Sequence, residues 1–333
     1  MDRNRCFDTV RDALLGQAVG DAFGVPLEFL SREEVRALSL KKMAGCDSEE
    51  VIASRWGPLI PKGSWSDDTS MTLASMSSFI LNGGHIDWED QMKQFSRWWN
   101  ENEYCCLDYP FGLGTNISAA MLRFRMGFPA LECGGTGLMD NGNGALMRIL
   151  PFAMYCIMHE LDTDKTAQII SNASAITHRH PISRMSCLIW TEFLRALADG
   201  SAISRAVREI SSLPYGKWFP EEALKAHAII VNGNIPNLRE EAIGETGYVV
   251  DTLYSALYAL LNAGSYEESI LLAASLGYDT DTVCAVTGMA AGIIYGAKAI
   301  PRRWLADLRK KETLELTAAQ FAQKIWKSRG DDE

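Results

Sequence analysis

The chain has 333 residues, 47% of them hydrophobic and 22% charged, with a formal net charge of -10. That apolar content supports a large core and excludes a compositionally disordered chain, and the negative balance opposes long-range attraction to nucleic acid or to an anionic membrane surface. No apolar run approaches the roughly 18 residues of a membrane span, and the start, Met1 to Cys6, lacks the pattern of a secretory leader, so a cytoplasmic protein with no membrane partner is expected.

In chain order, Val10, Leu14 and Ala18 recur at helical spacing and predict a first amphipathic helix. The glycines between Asp21 and Glu28 suggest a shaped loop. Lys62 to Ser66 reads as a second loop, followed by a helix through Leu73, Met76 and Ile80. A third loop, Glu132 to Gly144, is rich in glycine. Cys187, Trp190, Leu194 and Leu197 share one helical face, and Tyr215 to Pro220 forms a further loop. Two more helices run through Leu253, Ala256, Leu257, Leu260 and Leu261, and through Val283, Val286, Ala290 and Ile293. Few stretches alternate as strands do, so an all-α fold is expected. No tether, charge block or internal repeat divides the chain, which favours one domain over 1–333; a small accessory subdomain around 200–245 is the alternative. The eight cysteines form no C-x-x-C and read as reduced core thiols. Trp98-Trp99 and the scattered methionines read as core or interface.

Two acidic clusters carry the chemistry. Ser66-Asp67-Asp68-Thr69 places adjacent acids between a glycine loop and a helix, and Asp279-Thr280-Asp281-Thr282 repeats the arrangement before another. Each could be a capped helix start. One cap needs one acid, however, and each site has two with flanking hydroxyls. All the donors are hard oxygens, which suit magnesium, manganese or calcium better than zinc or copper. Four carboxylates brought together would repel one another unless cations neutralised them.

Gly16-Gln17-Ala18-Val19-Gly20-Asp21-Ala22-Phe23-Gly24-Val25-Pro26-Leu27-Glu28-Phe29 opens a series of five motifs. It continues with Ser66-Asp67-Asp68-Thr69, Gly142-Asn143-Gly144-Ala145-Leu146-Met147-Arg148, Thr177-His178-Arg179-His180-Pro181 and Asp279-Thr280-Asp281-Thr282. In this order, over about residues 10 to 305, they resemble the ADP-ribosylglycohydrolase family. The resemblance implies an orthogonally packed multi-helix fold with two magnesium or manganese ions in a central cleft. It implies metal ligands at Ser66, Asp67 and Asp68 on one side and Asp279, Asp281 and Thr282 on the other. Glu28, Asp67 and Asp68 are the implied catalytic acids, with Glu28 beside the scissile bond. Asn143, Gly144, Met147 and His180 are the implied substrate contacts, and Tyr278, where relatives often carry glycine or aspartate, is expected to stack on substrate or narrow the cleft.

The implied reaction is attack by a metal-held water on ADP-ribose joined to a modified protein or small substrate. Arginine is the first expected linkage; serine, or a retired protein that only binds ADP-ribose, are the alternatives. Some arginine-directed members carry an acid near Phe111-Gly112-Leu113-Gly114-Thr115; here only Asp108 is near. An isoprenoid-type synthase is disfavoured because Asp67-Asp68-Thr69-Ser70-Met71 lacks the third acid of D-D-x-x-D. A monomer is the expected state.

Overall fold

The computed structural model describes residues 2–329. Sixteen α-helices and no β-sheet are found among these residues. The first half contains α1 (Arg3–Gly24), α2 (Arg32–Leu38), α3 (Asp67–Leu81), α4 (Trp88–Glu101), α5 (Thr115–Arg125), α6 (Leu150–Met158) and α7 (Thr163–Ala175). Then come α8 (Pro181–Ala198), α9 (Ile203–Ser211), α10 (Glu221–Ala226), α11 (Ala228–Val231) and α12 (Val249–Leu261). The chain closes with α13 (Tyr266–Ala274), α14 (Thr280–Tyr295), α15 (Arg302–Asp307) and α16 (Lys311–Ser328). Among the described residues no helix is long and apolar enough to cross a membrane.

Local chemistry starts several of these helices. Asp2, Asp87, Asp162 and Ser265 each accept a hydrogen bond from a backbone N–H in the first turn of α1, α4, α7 and α13. All eight cysteines are free thiols, and seven are buried.

The centre of the molecule is the crossing of α1 and α14. A Cβ on Gly16 would lie 2.2 Å from the carbonyl oxygen of Gly288, and one on Gly20 would lie 2.1 Å from that of Cys284. Glycines four residues apart therefore form a seam at which the two backbones touch, and no larger residue fits there. The expected loop between Asp21 and Glu28 is thus mostly helix. The helix continues to Gly24, and a single 3-10 turn, Val25–Leu27, leads to Glu28. Tyr266, fully buried, reinforces the crossing by donating its hydroxyl to the Gly16 carbonyl at 2.6 Å.

An apolar core surrounds this pair, with Phe23, Phe79, Phe152, Trp190, Phe193 and Trp304 among its largest members. Residues from the 200–245 stretch, including Val207, Ile210, Phe219 and Ile230, belong to the same cluster. A second cluster joins Met71 of α3, Phe95 and Trp98 of α4, Ile117 of α5 and Met147. Fully burying one such side chain contributes roughly 1.5–3 kcal/mol, so the two clusters hold the helix ends firmly around the space between them.

Candidate active site and metal centre

The α1–α14 seam delivers the C-terminal end of α1 to the N-terminal end of α14, and α3 is fastened beside both. Gln17, fully buried in α1, donates from Nε2 to the Thr72 hydroxyl at 2.8 Å and to the Met147 carbonyl at 2.9 Å. Asp21, one turn further on, accepts from the backbone N–H groups of Ser66 (2.9 Å) and Thr69 (3.1 Å) and from the Thr69 hydroxyl (2.7 Å). This buried carboxylate therefore fixes the turn that presents Asp67 and Asp68.

The two acidic segments meet. Asp68 Oδ2 accepts from the Ser66 hydroxyl at 2.9 Å and from the Thr282 hydroxyl at 3.5 Å. Glu28, Asp279 and Asp281 each place a carboxylate oxygen within 4.8 Å of the others. Asp279 occupies the N-cap position of α14 but makes no capping bond. Its Oδ2 accepts instead from Asn143 Nδ2 at 2.6 Å, and the same amide donates to the Thr252 hydroxyl at 2.8 Å. Gly112, with φ +89°, presses so closely on Asp67 that a Cβ there would lie 2.2 Å from Oδ1.

Electrostatics show the cost of this convergence. Burial first, and then neighbouring carboxylates, hold Asp67, Asp68 and Asp281 well above the usual carboxylate range. Asp21 is pushed up to about 6 by burial, against its hydrogen bonds from Thr69 and Ser66. Glu28 is pushed up to about 7 by burial and then by Asp279, partly opposed by the Trp56 indole N–H and by Arg55. Asp68 Oδ1 is buried and accepts no hydrogen bond. An oxygen-only donor set with an unused buried acceptor and mutually repelling carboxylates fits one or more hard divalent cations.

These acids form the floor of a cleft of about 400 Å³, a size within the range of small-molecule sites. Glu28, Asp67, Asn143, Gly144, Met147, Tyr278, Asp279, Asp281 and Thr282 all line it. Ser66 and Asp68 are buried behind this lining and reach the group through the bonds above.

The family model for ADP-ribosylglycohydrolase matches residues 2–331. The chain belongs to the ADP-ribosylglycohydrolase family. An ADP-ribosylarginine hydrolase of Serratia proteamaculans is 32% identical over 94% of this chain and 79% of its own length. The ADP-ribosyl-[dinitrogen reductase] glycohydrolase of Rhodospirillum rubrum is 28% identical, with 93% of each chain covered. A solved structure described as an ADP-ribosylglycohydrolase-related protein complex superposes with a TM-score of 0.72 at 28% identity, covering 96% of this chain and 99% of that one. The chain is therefore an ADP-ribosyl hydrolase of all-α fold.

In this glycohydrolase one expected contact lies elsewhere. His180 is buried at the N-cap of α8, where Nδ1 accepts from the backbone N–H of Ile182 at 3.3 Å, and it does not line the cleft. The physical reason is Pro181 at the first helical position, which places the preceding residue at the cap. The cleft-lining histidine is His178. Burial, and then the charge of Arg148, push its pKa down to about 3, so it is a neutral imidazole at physiological pH. Arg148 donates to the Thr177 hydroxyl at 2.6 Å, and that oxygen lies 2.9 Å from His178 Nδ1, leaving the ring against Gly142 and Gly144. Asp108 is exposed and outside the lining, whereas Gly112 to Ile117 form part of the wall. Arg55 and Trp56 also line the cleft and were not foreseeable, because residues 51–62 have neither helical nor strand periodicity.

Proposed function

We propose that this glycohydrolase releases ADP-ribose from arginine side chains of modified proteins by hydrolysing the N-glycosidic bond, with two magnesium or manganese ions at the acidic centre. The observation that carries this reading is the convergence of Glu28, Asp279 and Asp281 on one point of the cleft floor. The arginine linkage is supported by the relatives in Serratia proteamaculans and Pseudomonas putida, 32% and 28% identical, whose names state it.

Ser66, Asp67 and Asp68 would hold the cations from the α3 side, and Asp279, Asp281 and Thr282 from the α14 side. When bound, the cations supply positive charge for the ribose hydroxyls and for charge developing at the anomeric carbon, and they acidify water. The chain's own groups do the rest. Asn143 anchors Asp279 by donating to its Oδ2. Gly144 and Met147 shape the wall for ADP-ribose, and neutral His178 offers it a hydrogen bond without adding charge. Glu28 is the group that exchanges the proton, because it lines the cleft beside the converging acids and burial favours its protonated form. The indole N–H of Trp56 fixes the direction in which it does so. The buried free thiols suit a reducing compartment, in keeping with cytoplasmic action on a modified protein or small ADP-ribosyl substrate.

Defined peptides test the linkage. Release of ADP-ribose from arginine-linked peptide should exceed release from serine-linked peptide by at least about tenfold in kcat/KM, a difference of roughly 1.4 kcal/mol. Preference for serine would reassign the linkage. Tight ADP-ribose binding with turnover of neither would make the protein a reader rather than a hydrolase.

A further inference from the structure

One wall of the cleft consists of aromatic rings with a cation laid across them. Trp56 lies 5.3 Å from Phe111 between ring centroids, and Phe29 meets Tyr278 edge-on at 5.3 Å. Arg55 spans the two pairs, its guanidinium carbon 4.7 Å from the centre of the Trp56 ring and 5.2 Å from that of Phe29. Among the described residues no carboxylate lies within salt-bridge distance of Arg55; ring faces hold it, and its charge also acts on Glu28. Phe29, Arg55, Trp56 and Tyr278 all line the cleft beside Glu28.

This wall is fixed to the reacting centre by the backbone. Phe29 follows Glu28 and Tyr278 precedes Asp279, so each ring stands next to one of the converging acids. Both residues have left-handed φ, +67° and +60°, a conformation that non-glycine residues adopt at a cost. Two backbone bonds maintain it, from Phe29 N–H to the Tyr278 carbonyl at 2.6 Å and from Tyr278 N–H to the Leu30 carbonyl at 2.7 Å. Trp56 gives Arg55 its ring face while its N–H holds Glu28.

We infer that Phe29 and Trp56 receive the leaving group of the reaction, that they select a planar guanidinium-type cation, and that Arg55, an intramolecular stand-in for that cation, competes for the same ring faces. The inference rests on the arginine reading above and deepens it by naming the residues that recognise the target's side chain. The leaving group is placed beside these rings by the proton exchange proposed for Glu28, whose carboxylate accepts from the Trp56 indole N–H. A guanidinium is planar and weakly hydrated and gains from an aromatic face; a serine hydroxyl does not. Arg55 is exposed and lies in a segment without helix or strand, so it can leave the rings without unfolding anything.

Agmatine, which carries a guanidinium but no ADP-ribose, is the probe. Its affinity is measured by calorimetry on the magnesium-saturated full chain with ADP-ribose present. Arg55→Ala should tighten agmatine binding about fivefold, the scale of one exposed cation–π contact, and Arg55→Gln should do the same. Adding Phe29→Asn, which tolerates left-handed φ but has no ring, should reverse the gain by a similar factor. Unchanged or weaker binding in both Arg55 variants overturns the stand-in. Binding indifferent to Phe29→Asn overturns the ring subsite. ADP-ribose affinity measured on the same variants shows whether each cleft is intact. If only serine linkages are cleaved while agmatine still tightens in Arg55→Ala, the linkage reading fails and with it the leaving-group role, and the rings remain a guanidinium-binding site alone. If arginine linkages are cleaved and agmatine ignores both positions, the subsite alone fails.

Discussion

Asp21 accepts three hydrogen bonds from the first turn of α3 yet does not line the cleft. Its bonds fix the turn that carries Asp67 and Asp68, and on the proposed metal site it would act as an outer-shell partner. Asp21→Asn would turn an amide N–H₂ toward groups that are already donors. The variant should lose roughly 10- to 100-fold in cation affinity or kcat, read by calorimetry and by turnover, while remaining helical. Wild-type values would remove Asp21 from the account. Single residues were unevenly legible in the sequence. The acids declared themselves because two carboxylates with hydroxyl neighbours exceed what a cap requires, and Asp279 indeed caps nothing. His178 and His180 share one motif, and only the helix start at Pro181 separates the capping residue from the cleft residue.

Helix α1 sets the geometry of the site because its glycines allow contact with α14. Gly20→Ala would place a methyl 2.1 Å from the Cys284 carbonyl oxygen, and the helices would have to separate. Overpacking of this kind costs about 1–3 kcal/mol, visible as a lower denaturation midpoint. Because separation also moves Glu28 and Asp281 apart, cation affinity should fall with it; an unchanged midpoint would show that the seam relaxes freely. The long periodic helices, α3, α8, α12 and α14, were readable from apolar spacing. The glycines of α1 were misleading for a physical reason. Glycine marks a loop when the backbone needs positive φ and marks a helix crossing when it needs closeness, and sequence alone does not distinguish the two. The wall formed by Arg55 and Trp56 had no periodicity to reveal it, since rings held by tertiary contacts leave no local pattern.

At the scale of the whole molecule, the centre is a store of repulsion between buried carboxylates. Asp21 and Glu28 have folded-state pKa values raised to about 6 and about 7, above the roughly 4 of an unfolded chain. A raised carboxyl contributes stability that is complete below the unfolded value and is lost as pH rises through the folded one. The metal-free protein should therefore melt at progressively lower temperature as pH rises from about 4 to about 7. Magnesium should raise the melting temperature more at pH 8 than at pH 5, because only ionised carboxylates gain from it. Equal magnesium effects at both pH values would contradict this. The central claim is that the two acidic segments, which belong to separate helices in the sequence, form one cation-dependent hydrolytic site. The most direct test is release of ADP-ribose from arginine-linked peptide by the full chain in excess chelator, followed by addition of magnesium or manganese. The account predicts loss of turnover in chelator and its recovery with either cation; full activity in chelator would contradict it.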